Sequence, residues 1–395
     1  MQLSQRIRNI TPSQTLAITA KSRELKAQGV DVISLSAGEP DFNTPEEIIE
    51  KTYKALNEGQ TKYTSASGIN ELKEAIVRKM KDDNGLDYDA SEIFVGSGAK
   101  HVLYNLFQAT LDAGDEVLIP TPYWVSYTEQ VKLAEGKPVI MHTDESTSFK
   151  MTPEIIEAHR TDKTRMLLLN SPSNPSGMVY TEEELKNLTE YLEKTDIVVV
   201  ADEIYETLVY DRPHISIAAF SDKMKQNTIV INGVSKSHAM TGWRIGYACG
   251  DRDVMKAMTD LTSHSTSNPA TPSQWAAVAA YEMDPSYLEE YNRTFNERRD
   301  RAYEKLMEIP YIDCIKPEGA FYLFPNFKEC AQKCGFQDVD QFVTALLEEQ
   351  YVAVVPGSGF GSPDNIRLSY SLSIEDMAEA LDRIRKFVEQ HTKGA

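Results

Sequence analysis

The sequence predicts an α/β protein: a seven-stranded, mostly parallel sheet between helices, followed by a smaller α+β domain. Three observations carry this. Seven short runs between Glu92 and Gly250 are apolar at consecutive positions, as strands covered on both faces require. Helix signals alternate with those runs, which is the pattern of a parallel sheet wrapped by crossover helices. After about Pro285 the pattern changes to a long charged helix, a set of short strands and a closing amphipathic helix.

Taken in order, residues 1–44 are expected to pack with the small domain. TPEEIIEKTYKALNEG then opens a helix, with Thr44 as N-cap, Pro45 at the first helical position, Glu47 completing a capping box and Gly59 as the stop. The strand candidates are EIFVG, EVLIP, PVIMH, RMLLLN, IVVVAD, TIVING and RIGYACG. TEEELKNLTEYLEKT repeats the capping device with Thr181 and Glu184. These elements assign 45–285 to a large domain. Residues 286–395 form the small one: the helix SYLEEYNRTFNERRDRAYEKLMEI, strands at YIDCIKP and AFYLFPNF, a helix, strands YVAVV and IRLSYS, and a final helix. There is no internal repeat and no low-complexity linker.

Charge narrows the partners. With 41 basic and 60 acidic residues the 395-residue chain has a formal net charge of −19 and a pI of about 4.9. Nucleic acid and anionic membrane surfaces both need a basic face, so neither is expected as a partner. An anionic substrate has to be met by a few local cations. MQLSQRIRNITPSQ lacks the apolar core of a signal peptide, and no run is long enough to cross a bilayer. Cys249, Cys314, Cys330 and Cys334 are too scattered for a disulfide framework. Cys330 and Cys334 are four apart, but no second Cys or His cluster completes a zinc site. The expectation is a cytoplasmic protein with reduced thiols and no metal.

Open α/β sheets bind ligands beyond the carboxyl ends of their strands. Gly98, Pro120, Asn170 and Asn174, Asp202 and Lys236 all follow such ends. In SKSHAMTGWRIGY, Lys236 stands between an apolar strand and Ala239-Met240, with Arg244 eight residues on. As structure these are a surface Lys and Arg in a turn. As chemistry, a partly desolvated lysine keeps a neutral amine ready to form an imine. In VVVADEIY, Asp202 is either a helix cap or the partner of a protonated cofactor ring nitrogen. Tyr205 follows as a donor to a ring phenolic oxygen. NSPSNPSG is either a plain turn or the place where Asn174, held by Pro175, bonds the same oxygen. GSGAK is a Gly-rich strand-to-helix turn whose free backbone N–H groups suit a phosphate. Trp124 in TPYWVSY is either core or a face on which a flat ring stacks.

Together these segments resemble the class I (fold type I) pyridoxal 5′-phosphate (PLP)-dependent aminotransferases, in the bacterial and archaeal branch of the aspartate aminotransferase family. The resemblance runs from SAGEPDFNTP to NIRLSYS. It implies Lys236 as the Schiff-base lysine and proton carrier, Asp202 on the pyridine nitrogen, Tyr205 and Asn174 on the phenolic oxygen, and Trp124 on the ring. It places the phosphate against Gly98, Ala99, Lys100, Ser235 and Arg244, with Tyr63 reaching in from a second subunit of a homodimer. Gly38 and Arg367 would grip the substrate α-carboxylate, Arg367 as a bidentate fork, with Trp124 and Asn174 beside the substrate. One departure is informative. Ser263 stands where another branch of the family has an arginine for the distal carboxylate of aspartate. In the branch resembled here, a lysine at the position of Lys100 takes that task, helped by hydroxyls such as Ser13 and Thr15. The implied reaction is a ping-pong transfer from L-aspartate to 2-oxoglutarate. Alternatives on the same scaffold are aromatic, prephenate or broad-specificity aminotransferases and a β-eliminating lyase. A non-catalytic PLP-binding regulator would need a DNA-binding module that nothing basic or helix-turn-helix-like suggests. A dinucleotide oxidoreductase is disfavoured because no GxGxxG follows the first strand.

Overall fold

All seven apolar runs enter one sheet in the computed structural model, which describes residues 2–12 and 14–392. The strands are Ile93–Gly96 (β1), Glu116–Pro120 (β2), Lys137–Met141 (β3), Thr164–Asn170 (β4), Val198–Asp202 (β5), Thr228–Gly233 (β6) and Gly246–Cys249 (β7). Their order across the sheet is β1-β7-β6-β5-β4-β2-β3. β7 alone runs against its neighbours, pairing antiparallel with β1 and β6. Side chains alternate between two helix-covered faces, as the two-residue strand period demands. Leu167, Leu169, Val199 and Ala201 pack under the helix Glu182–Leu192, whereas Leu168 and Val200 join Val102, Leu106 and Phe107 of Ala99–Thr110 on the other face. That double burial is why these strands read as unbroken apolar runs.

The helix Glu182–Leu192 starts as expected, with the Thr181 side chain and Glu184 closing a capping box. The helix at TPEEIIEK does not. It runs Glu46–Asn57 with Pro45 as an N-cap that makes no side-chain bond. The Thr44 hydroxyl is engaged elsewhere: it donates to the Ala239 carbonyl at 2.9 Å and accepts from the Trp243 indole N–H at 2.9 Å. Tertiary bonds to the loop after Lys236 have displaced the local cap.

The C-terminal part contains the helices Ser286–Leu306, Val339–Gln350 and Ile374–Thr392 around short strands. Tyr322–Leu323 (β8), Val355–Pro356 (β10) and Ile366–Ser369 (β11) make an antiparallel sheet in the order β10-β11-β8. YVAVV is not one strand. Val352–Ala353 (β9) pairs in parallel with Ile33–Ser34, and only then does the chain turn into β10. YIDCIKP forms no strand, contributing a single bridge from Asp313 to Asn326. The core here gathers Phe295, Phe321, Phe342, Leu368, Ile384 and Phe387, and it reaches Leu35 on one side and Tyr205 and Leu208 on the other. The four cysteines are free and buried. No helix among the described residues is long and apolar enough to cross a membrane.

Candidate active site

The carboxyl ends of β4, β5 and β6 open into a cavity of about 580 Å³ between the large sheet and the C-terminal elements. Because β7 runs backwards, it starts at this same edge, so Arg244, two residues before it, arrives beside Lys236, three residues past β6. Gly38, Ala99, Lys100, Trp124, Asn174, Asp202, Tyr205, Ser235, Lys236, Arg244 and Arg367 all line this cavity. Tyr63 does not: it is 91% exposed on the molecular surface.

Asp202 ends β5 with its carboxylate almost fully buried. Tyr127 donates to Oδ2 at 2.6 Å, and the Ile204 backbone N–H reaches Oδ1 at 3.3 Å. Burial raises the Asp202 pKa to about 6, against the opposing pull of those two donors. The chain after it is a turn rather than a helix, so the carboxylate caps no helix. Lys236 sits in the four-residue helix Val234–Ser237, and its Nζ donates to the Gly38 carbonyl. Burial lowers its pKa to about 8; nearby Arg367 and Arg244 push the same way, and Glu39 and Asp202 only partly oppose them.

Arg367, from β11, is 2% exposed. Nη1 donates to the Asn174 side-chain oxygen at 3.0 Å and Nη2 to the Ser36 carbonyl at 2.9 Å, while the buried Nε–H has no partner. The guanidinium lies 4.6 Å from the Tyr322 ring centroid and 5.1 Å from that of Phe360. Its partners are an amide, a carbonyl and rings, so a buried positive charge faces the cavity with no carboxylate paired to it among the described residues. The bond to Arg367 also fixes Asn174, leaving its NH₂ as a donor. Asn174–Pro175 is a cis peptide.

Gly98 begins the helix Ala99–Thr110 at φ +90°, and a Cβ there would run into the Arg244 guanidinium. The glycine is what lets the Arg244 guanidinium lie against the start of that helix. Arg244 donates to the Thr241 carbonyl at 2.8 Å and the Ser97 carbonyl at 3.4 Å. Lys100 Nζ lies 4.7 Å from the Trp124 ring centroid, a cation–π contact, and burial followed by repulsion from Arg244 lowers its pKa. Ser263 is at the far end of the helix Arg252–Ser263 and its hydroxyl donates to the Asp260 carbonyl at 2.7 Å. Ser13 and the Thr15 side chain lie outside the described residues.

Two further tyrosines line the cavity, and the sequence alone did not single them out. Tyr127 closes the segment TPYWVSY just inside the helix Ser126–Leu133, and its ring meets that of Trp124 edge to face at 5.3 Å, so its nearness to Trp124 in sequence is a usable signal. Tyr322 lies in AFYLFPNF, where an aromatic strand pattern hides any single polar tip. Its hydroxyl is 2.8 Å from that of Tyr205.

Comparison with known proteins places these features in a family context. The family model described as aminotransferase class I and II matches residues 30–384. The aspartate aminotransferase of Bacillus subtilis (strain 168) is 58% identical over 393 residues, covering 99% of this chain and 100% of its own. Among solved structures, the aspartate aminotransferase from Rhizobium meliloti superposes with a TM-score of 0.94 at 43% identity, over 98% of this chain and 99% of that one. The aspartate aminotransferase from Thermus thermophilus with maleate gives 0.93 at 41% identity, over 98% and 100%.

Proposed function

This chain belongs to the class I and II aminotransferase family, and from that premise we propose that it transfers the amino group of L-aspartate to 2-oxoglutarate with PLP as its cofactor. The products are oxaloacetate and L-glutamate. One observation carries the reading: a single cavity holds a desolvated lysine amine, a buried carboxylate and a buried guanidinium that no carboxylate of the described residues pairs.

The residues fit the cofactor. The cradle between Gly98 and Arg244, which any Cβ would fill, suits a phosphate backed by helix N–H groups. Asp202, held in a low-dielectric site, suits a cationic ring nitrogen. When bound, PLP supplies an aldehyde that condenses with amines and a ring that draws electrons from the substrate α-carbon.

The chain's own groups do the rest. Lys236 Nζ would hold the cofactor and, once freed by a substrate amine, would serve as the base that moves the substrate α-proton. Its lowered pKa leaves a sizeable neutral fraction near neutral pH for that task. Asp202 keeps the ring nitrogen protonated, and Tyr127 fixes the carboxylate. Tyr205 and the Asn174 NH₂ would hold the phenolic oxygen, Trp124 would cover the ring, and Ser235, Ala99 and Arg244 would hold the phosphate. Arg367 takes the α-carboxylate beside Gly38. Lys100 offers a second cation for the distal carboxylate, and the related Thermus protein holds maleate, a four-carbon dicarboxylate. In this reading 45–285 is the cofactor-binding domain, 286–395 the smaller one, and 1–44 packs with it through the Ile33–Ser34 pairing. The working form is a cytoplasmic homodimer with Tyr63 reaching the partner's phosphate.

The test is a substrate panel. Purified protein loaded with PLP is assayed with 2-oxoglutarate and aspartate, asparagine, alanine, phenylalanine or tyrosine. Aspartate is expected to lead in kcat/KM; an aromatic donor in first place would sink the specificity, and no transfer from any donor would sink the activity.

A further inference from the structure

Tyr322 stands between the two halves of this site. Its ring lies beside the Arg367 guanidinium, 4.6 Å from the ring centroid, and its hydroxyl is 2.8 Å from that of Tyr205. The residue is fully buried in the protein yet lines the cavity. Gly38 abuts its tip, since a Cβ there would meet the Tyr322 hydroxyl at 3.4 Å. The two tyrosine rings meet edge to face at 5.9 Å, which fixes their relative orientation.

A tyrosine hydroxyl has a single proton to donate. If Tyr205 gives its proton to the phenolic oxygen of the cofactor, the 2.8 Å bond has one consistent direction, with Tyr322 as donor and Tyr205 as acceptor. We propose that Tyr322 is a positioning residue that donates to Tyr205, strengthens the Tyr205 bond to the cofactor's phenolic oxygen, and ties that bond to the seat of Arg367. This inference rests on the PLP reading above. Consecutive hydrogen bonds polarise one another, by roughly 10–30% per bond in condensed phase. The effect is largest when the accepting oxygen carries its full negative charge, which it does once the nitrogen joining the cofactor to Lys236 is unprotonated. Tyr322 therefore favours the unprotonated form. Tyr322→Phe removes only the hydroxyl and keeps the ring that packs on Arg367.

The experiment is an absorbance titration, without substrate, of the PLP-loaded protein, Tyr322→Phe, Tyr205→Phe and the double variant. In Tyr322→Phe the midpoint of the colour change is expected to rise by a few tenths of a unit to about one unit, the scale of a modest local perturbation. Tyr205→Phe should raise it further, and adding Tyr322→Phe to that background should change nothing more. A fall in the midpoint would mean that Tyr322 accepts from Tyr205, and this overturns the proposal. So does an unmoved midpoint, or an equal shift in both backgrounds. A wild-type protein that acquires no pH-dependent colour with PLP overturns the cofactor reading, and the proposal with it.

Discussion

Lys236 must be uncharged to react, yet it lines a cavity whose other cations would hold a substrate anion. Burial resolves the conflict by lowering its pKa to about 8, with Arg367 and Arg244 adding to the effect. Capture of added PLP by the cofactor-free protein should therefore speed up with pH along a curve centred near 8 rather than the ordinary lysine value. Stopped-flow absorbance would read the rates, and a midpoint above 10 would show an exposed lysine instead. Lys100 makes a different demand. It is the cation poised over Trp124, and Ser263 is engaged with its own helix. A hydrogen bond to a charged group is worth roughly 1.5–3 kcal/mol, or about 10- to 150-fold. Lys100→Ala is expected to lower kcat/KM for aspartate and glutamate within that range while sparing alanine and phenylalanine. Uniform loss across the panel would make Lys100 a cofactor ligand instead.

The end of β5 is buttressed from behind by a buried ionic cluster. Ser216 donates to Glu203 at 2.6 Å, and His214 Nε2 lies 3.2 Å from the same carboxylate. Glu206 pairs with Lys79 and accepts from Asn84 at 2.8 Å and Asn232 at 2.7 Å. Glu206→Gln leaves the Lys79 charge buried without its partner, and breaking such a pair costs roughly 3–5 kcal/mol. The urea midpoint should drop accordingly; an unchanged midpoint would mean the network is solvated. His214 adds a pH dependence. Burial lowers its pKa, but Glu203 and Glu206 outweigh burial and Lys79, so the folded value lies above the ordinary one. Its stabilising contribution is complete below about pH 6.5 and fades as the pH rises through the folded pKa. The strands of this region were legible in the sequence because both faces are covered, and a run such as RMLLLN has no other reading. The Thr181–Glu184 box was legible because its whole signal spans four residues. Thr44 carried the same local signal, but Ala239 and Trp243, 195 and 199 positions away, claim its hydroxyl. YVAVV misled for a related reason: its two halves pair with strands from opposite ends of the chain. Tyr322 was invisible because its role depends on Tyr205, 117 residues earlier.

At the scale of the molecule, a chain of net charge −19 gathers Lys100, Lys236, Arg244 and Arg367 in one cavity, so anion binding depends on a few short-range contacts. Tyr63, outside that cavity, shares the exposed surface with the apolar Ile49, Tyr53 and Leu56 of Glu46–Asn57. If Tyr63 reaches the cavity of a second copy, mixing Tyr63→Ala and Lys236→Ala proteins, each nearly inactive, should restore one complete site per hybrid dimer. Absent recovery despite verified subunit exchange would remove Tyr63 from the site. Arg367 bonds Asn174, 193 residues earlier, and the carbonyl of Ser36, 331 residues earlier. Ile33 pairs with Val352, and the Ser369 N–H bonds the Leu35 carbonyl. On the ribosome the chain emerges N-terminus first. The strand Ile33–Ser34 must wait, unpaired, while the roughly three hundred residues before Val352 are synthesised. Over the last part of that time the nascent chain already contains Lys236 and Arg244 but lacks the arginine that receives the substrate. A polypeptide stalled before residue 367 would lack the guanidinium that receives the substrate, so the ability to react is conferred only in the last moments of translation.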